Sequence, residues 1–143
     1  MNKRVSIKIK GLHSIEETED RDTVEVTNFG TYYKRKGKHY VKYEEPIEKS
    51  DRVNSNLLKI SDNEVELIKR GETGAHMLFT EGSRHTTFYS TPFGGLNLGI
   101  DTHSLDITET SDRMVVDIKY SLEVNLDYTN DCFIHIEIES VGN

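Results

Sequence analysis

Apolar and polar residues alternate at every second position through most of this chain. In the segment 114–126 every even position is apolar, from Met114 and Val116 to Val124 and Leu126, and the odd positions from Asp117 on are all polar. A period of two with one apolar set is the mark of a strand with one buried and one wet face. The last segment repeats it, with Cys132, Ile134, Ile136 and Ile138 against His135, Glu137 and Glu139, and the first does so with Val5, Ile7 and Ile9 against Ser6, Lys8 and Lys10.

Turn chemistry divides the middle of the chain into shorter strands, expected at about 22–35, 39–46, 53–60, 64–70, 75–80, 85–91 and 95–108. The breaks are rich in Gly, Pro, Asn, Asp and Ser, as at Lys36-Gly37-Lys38, Ser61-Asp62-Asn63, Glu81-Gly82-Ser83 and Pro92-Phe93-Gly94-Gly95. Links this short join antiparallel neighbours, because a parallel crossover needs a dozen residues or more. No segment shows capped helical spacing over three turns. Ser14 to Asp22 is acidic and poor in apolar residues and reads as a single helical turn or a loop.

Two long strands change their apolar face midway. Val24 and Val26 are even, whereas Phe29, Thr31 and Tyr33 are odd; Leu96, Leu98 and Ile100 are even, whereas Leu105 and Ile107 are odd. Each change predicts a bulge or a sharp bend. Long bent strands in an antiparallel meander suit closure into a barrel, which removes exposed edges. The expected fold is all-β: a single closed antiparallel up-and-down barrel of about eight to ten strands spanning 1–143, with a two-sheet sandwich as the alternative.

At 143 residues the chain fits one domain. Its one cysteine, Cys132, excludes an internal disulfide and points to a reducing compartment. Lysines interrupt the apolar residues of the N-terminal segment, which therefore lacks the apolar centre of a secretory signal. No apolar run approaches the ~18 residues of a membrane helix. A cytoplasmic protein is expected. The net charge of −7 argues against a nucleic-acid partner. One basic cluster, Lys34, Arg35, Lys36 and Lys38 flanked by Tyr32, Tyr33, His39 and Tyr40, has the composition for phosphate contacts and base stacking. Its position around Gly37 makes a solvated hairpin tip the simpler reading.

Several stretches, taken in order, resemble a known family. They are Thr31-Tyr32-Tyr33 with Tyr40-Val41-Lys42-Tyr43-Glu44-Glu45, then Leu58-Lys59-Ile60, Lys69-Arg70-Gly71, Met77-Leu78-Phe79, Tyr89-Ser90-Thr91-Pro92-Phe93-Gly94 and Ile118-Lys119-Tyr120-Ser121-Leu122. The set resembles the YwiB-like family, a bacterial family of unknown function grouped with the calycins, the lipocalin-like barrels. The resemblance implies an up-and-down barrel of about eight strands. It implies neither catalytic residues nor a particular ligand.

Catalytic signatures are missing from the sequence. The six histidines form no His-x-His or His-x3-His pair, and His103 with Asp101 and Asp106 is the nearest approach to a metal cluster. No Gly-x-Ser-x-Gly elbow or phosphate loop is present, and Gly82-Ser83-Arg84-His85 reads as a turn. No catalytic residue, metal or cofactor is assigned. If Val41 points inward, so does Glu45; Arg70 would follow Ile68 inward and pair with it, since a lone buried charge is too costly. Tyr43, Glu45, Arg70, Tyr89 and Tyr120 are the candidate polar anchors for a small, largely apolar ligand in or at the mouth of the barrel. The alternative is a solid-core module acting through a surface, such as one around Met77 and Phe79, or through a homodimer.

Overall fold

The computed structural model describes residues 1, 3–14, 22–47 and 49–142; the segment expected to be one helical turn or a loop falls largely outside them. The described chain is all β: β1 (Arg4–Ser14), β2 (Asp22–Arg35), β3 (Lys38–Pro46), β4 (Val53–Ser61), β5 (Glu64–Arg70), β6 (Ala75–Thr80), β7 (Arg84–Thr91), β8 (Gly94–Glu109), β9 (Arg113–Val124) and β10 (Asp127–Ser140). Among the described residues no helix is long and apolar enough to cross a membrane.

All ten strands lie in one antiparallel sheet, in the order β6-β5-β4-β3-β2-β1-β10-β9-β8-β7. The two ends of that order, β6 and β7, are consecutive in sequence, so the sheet curls until they meet. Gly74 and Ser90 form an isolated bridge there, each amide donating to the other's carbonyl at 2.8 Å. The turn above the seam is tied to β8, with Gly82 N donating to Thr102 O at 2.9 Å and Thr102 N to Ser83 O at 3.1 Å. One sheet curled into a nearly closed barrel replaces the sandwich alternative.

The alternation read from sequence sets the inside. Val5 and Ile7 of β1, Val41 of β3, Leu58 and Ile60 of β4, and Met114, Val116 and Ile118 of β9 are almost fully buried in one continuous core. Burying a side chain of this size stabilises by roughly 1.5–3 kcal/mol. The β2–β3 turn has Lys36 at φ 51° and Gly37 at φ 79°, the type I′ geometry whose twist matches that of the flanking strands. Asn125 and Leu126 at φ 50° and 74° do the same for β9–β10. The alternation to Leu126 therefore overran the strand, which ends at Val124.

The two predicted face changes have different outcomes. In β8 the register shifts between Thr102 and Ser104: His103 is an extra residue, and the apolar face passes from even to odd positions across this bulge. In β2 no face changes. Its register is continuous against β1 through Thr31 and against β3 from Gly30 onward. Tyr32 points in and is buried, whereas Phe29 and Tyr33 point out and are 61% and 37% exposed. The odd aromatics are an outward row, not a switched interior face.

Candidate functional site

Gly30 is where β2 exchanges neighbours. It pairs with Val5 of β1 on one side and Tyr43 of β3 on the other. The residues before it in β2, and Glu44 to Pro46 in β3, are not paired with each other among the described residues. A Cβ at Gly30 would lie 2.3 Å from the Lys42 carbonyl oxygen and 3.0 Å from Ile7 Cδ1 and Tyr43 Cβ, so glycine is required by close approach of the strands.

Outside this bend lies a groove of about 750 Å³ across β2, β3, β4 and β5. The register puts Arg4, Thr31, Lys42, Leu57 and Ile68 in one row across the outer face, and Glu44, Ser55 and Arg70 in the next. Phe29 closes one side, and a second depression of about 400 Å³, lined by Lys3, Arg4 and Phe29 to Thr31, continues the groove past β1. Its walls combine exposed Phe29 and half-buried Leu57 and Ile68 with the cations Lys3, Arg4, Lys42 and Arg70. None of the four cations pairs with a carboxylate among the described residues, although Lys8, Lys10, Arg52, Lys59, Lys69, Arg84 and Arg113 all do. Unpaired cations beside an aromatic face suit an anion with an apolar or planar part.

The five anchors chosen from sequence are spread over three places. Tyr43 and Glu45 point inward at the lower end of β3. Tyr43 is buried, and burial, then the nearby Glu45 carboxylate, raises its hydroxyl pKa. Glu45 pairs not with Arg70 but with Lys69, at 2.8 Å, and accepts a hydrogen bond from Asn56 Nδ2 at 2.8 Å. The reason is parity: Asn56 faces Lys69 inside, whereas Ser55 faces Arg70 and Leu57 faces Ile68 outside. Val65, Leu67 and Ile68 put apolar residues on both faces of β5, and the outward Ile68 is the one that misled the inward reading. Tyr120 is in the core, edge-on to Phe79 with centroids 5.1 Å apart, and shares a hydrogen bond with Cys132. Tyr89 is half-buried on β7 opposite Leu96. Tyr43 and Arg70 thus border the groove; Glu45, Tyr89 and Tyr120 do not.

Phe79 is 2% exposed, so Met77 and Phe79 form no surface. Phe88, Phe93 and Leu96 on and between β7 and β8, and Leu126 in the β9–β10 turn, are exposed apolar residues. Asp101 is held by Arg84 at 2.6 Å, and His103 by Ser121 at 2.5 Å. Among the described residues no group of three or more His, Cys, Asp or Glu side chains is placed to hold a metal ion. His39, at the end of the barrel opposite Glu45, is buried and neutral in character: desolvation lowers its pKa, and Tyr32 hydroxyl lies 2.7 Å from its Nδ1. His135 is shifted the other way by its hydrogen bond to Asp117.

Phe29, Thr31, Lys42, Leu57 and Ile68 were missed as site residues. Their signal was present as apolar groups at the wrong parity, Phe29 in β2, Leu57 in β4 and Ile68 in β5, which together mark a partly apolar outer face.

The fold and groove define a ten-stranded antiparallel barrel domain with an outer, cation-lined cleft. The family model described as Domain of unknown function (DUF1934) matches residues 7–136, and the chain belongs to that family. A crystal structure of the ywiB protein from Bacillus subtilis is similar to it at a TM-score of 0.83 and 20% identity, over 98% of this chain and 93% of that one. At that identity the likeness shows the fold. No curated protein matches the sequence.

Proposed function

We propose that the barrel is a binding module for anionic ligands, held on its outer face at the β2 bend. The observation that carries this is the set of unpaired cations around exposed Phe29 in a chain of net charge −7, seven of whose other cations are held by carboxylates. Arg70 and Lys42 would meet the negative groups, Phe29 and Leu57 an apolar or planar part, and Tyr43 would brace β3 from inside. The groove holds Glu44 as its one carboxylate, which suits holding a ligand more than transforming it. A small ligand at the outer groove also accords with an interior occupied by one continuous cluster of large side chains.

The test is an NMR titration with inorganic tripolyphosphate. Amides of Thr31, Lys42 and Arg70 are expected to shift in a saturable way. The Lys42→Gln/Arg70→Gln variant should bind at least about tenfold more weakly, since each charged contact is worth roughly 1.5 kcal/mol or more, and melt as the parent does. No shift, or shifts centred elsewhere, would reject the reading.

A second reading rests on Phe88, Phe93 and Leu126, which are 58%, 99% and 88% exposed at one end of the barrel. Exposed apolar groups so placed suit self-association, and sedimentation of the Phe88→Ser/Phe93→Ser variant against the parent separates it from the first.

A further inference from the structure

The groove is one end of a longer surface. On the outer face of the β2–β3 hairpin, the register stacks three successive pairs, Arg35 with Lys38, Tyr33 with Tyr40 and Thr31 with Lys42, and Phe29 is the next outward residue of β2 beyond them, making a fourth, unpaired rung. Successive outward residues on a strand repeat every ~6.8 Å, so the four rungs span roughly 20 Å. This repeat is close to the step between nucleotides in an extended single strand. The aromatic rung is ordered: the Tyr33 and Tyr40 rings stack with centroids 4.8 Å apart and planes 3° apart, and Lys42 Nζ lies 5.6 Å from the Tyr33 centroid.

Charge separates this hairpin from the rest of the molecule. Lys34, Arg35, Lys36 and Lys38 at its tip pair with no carboxylate among the described residues. On β9 and β10, by contrast, the charges are mutually satisfied: Arg113 is held by Glu137 and lies 3.7 Å from Glu139, and His135 is bonded to Asp117. The net negative charge read from the sequence therefore does not describe the hairpin, whose unpaired cations form a basic strip. A polyanion would be drawn to the strip and repelled elsewhere, which fixes its orientation. A small anion would use only the groove; the cations at the tip lie two rungs or more beyond Lys42.

We infer that the occupant of this surface is a single-stranded nucleic acid, its phosphates along the hairpin cations and Arg4, and its bases on Phe29 and the Tyr33/Tyr40 pair. The inference rests on the anion-binding reading above and deepens it. Single strands are bound without sequence readout by such pairings of cationic tracks and aromatic platforms. A duplex would offer the aromatics no free base faces.

The experiment is fluorescence anisotropy with labelled oligo-U and oligo-dT, using unlabelled tripolyphosphate, poly-glutamate and a duplex as competitors. Both oligomers are expected to bind, with RNA and DNA arms showing whether the ribose hydroxyl adds affinity. Affinity should fall steeply between about 50 and 200 mM salt. Phe29→Ala and Tyr33→Ala should each weaken oligomer binding about tenfold, the lower range for a lost stacked base, and Tyr33→Ala, outside the groove lining, should leave tripolyphosphate binding unchanged. Lys34→Gln/Arg35→Gln should reduce the salt dependence. If tripolyphosphate binds at the groove but the oligomers do not, or bind no better than poly-glutamate and without sensitivity to Phe29 and Tyr33, the nucleic-acid inference fails and the anion reading stands. Tighter binding of duplex also overturns it. If no anion binds, both fail. Near-ultraviolet circular dichroism of each variant confirms that the barrel is folded.

Discussion

Gly30 sits between three strands with no space for a side chain. Its Cβ would meet a backbone oxygen, that of Lys42, at 2.3 Å, and backbone cannot swing aside as a flexible side chain can. Gly30→Ala is expected to destabilise the barrel by about 2 kcal/mol or more, at the upper end for overpacking. Gly11→Ala is the matched control. A Cβ there meets nothing within 4 Å, and replacing glycine in a strand at a compatible site should be neutral or stabilise by up to ~1 kcal/mol. Equilibrium urea unfolding of the two variants reads the difference, and equal midpoints would show that β2 and β3 do not close on Gly30 as described. Residue-level reasoning from sequence located this glycine at a change of pattern but gave it the wrong meaning. The pattern changes because Phe29 and Tyr33 point outward, and an exposed aromatic looks, in one dimension, like a core residue on the other face.

The element boundaries were largely legible. β2, β5 and β6 fall on the expected limits, β3, β4 and β7 differ by a residue, and β8 by one at each end, because Gly, Asn, Asp and Pro mark the turns chemically. What one strand cannot show is its neighbours. Whether Lys69 or Arg70 turns inward depends on register with β4, and β5 offers apolar residues on both faces. The β8 bulge was legible because its core residues really do change parity. It has a sharp consequence. Thr102 opposes Tyr120 and Ser104 opposes Lys119, so deleting His103 joins two correctly registered halves. That deletion should leave a folded barrel, weaker by about 1–2 kcal/mol for the lost bend and the Ser121 contact. Deleting Lys119 instead sends the core set of half of β9 to the wet face and should abolish cooperative melting. Scanning calorimetry of the two deletions distinguishes them, and similar losses in both would overturn the bulge assignment.

At the scale of the molecule, the thinnest joint is the β6–β7 seam, where the described residues show one backbone bridge, Gly74–Ser90 just before β6, and a contact of His85 Nε2 with Thr80 Oγ1 at 3.1 Å. A Cβ on Gly74 would lie 3.7 Å from that of Ser90, within the range for a disulfide. The Gly74→Cys/Ser90→Cys variant is expected to cross-link on oxidation, with Cys132 buried away from exchange. It should stabilise the barrel by roughly 3 kcal/mol for a loop of this length. The oxidised form melting no higher than the reduced form would mean that closure is already strong there or that the seam geometry differs. Closure itself was readable from the short antiparallel links; the position of the seam was not, since it depends on where the curl of the whole sheet ends.

The stacked pair on the basic hairpin also gives the protein an optical property. The chain has no tryptophan and seven tyrosines, so tyrosine emission is not drained by energy transfer to indole. Tyr33 and Tyr40, ring on ring beneath Lys42, are coupled chromophores at the surface where a ligand would arrive. The molecule therefore carries an intrinsic, label-free reporter at its own candidate site, one that a base inserted between or onto the rings would quench.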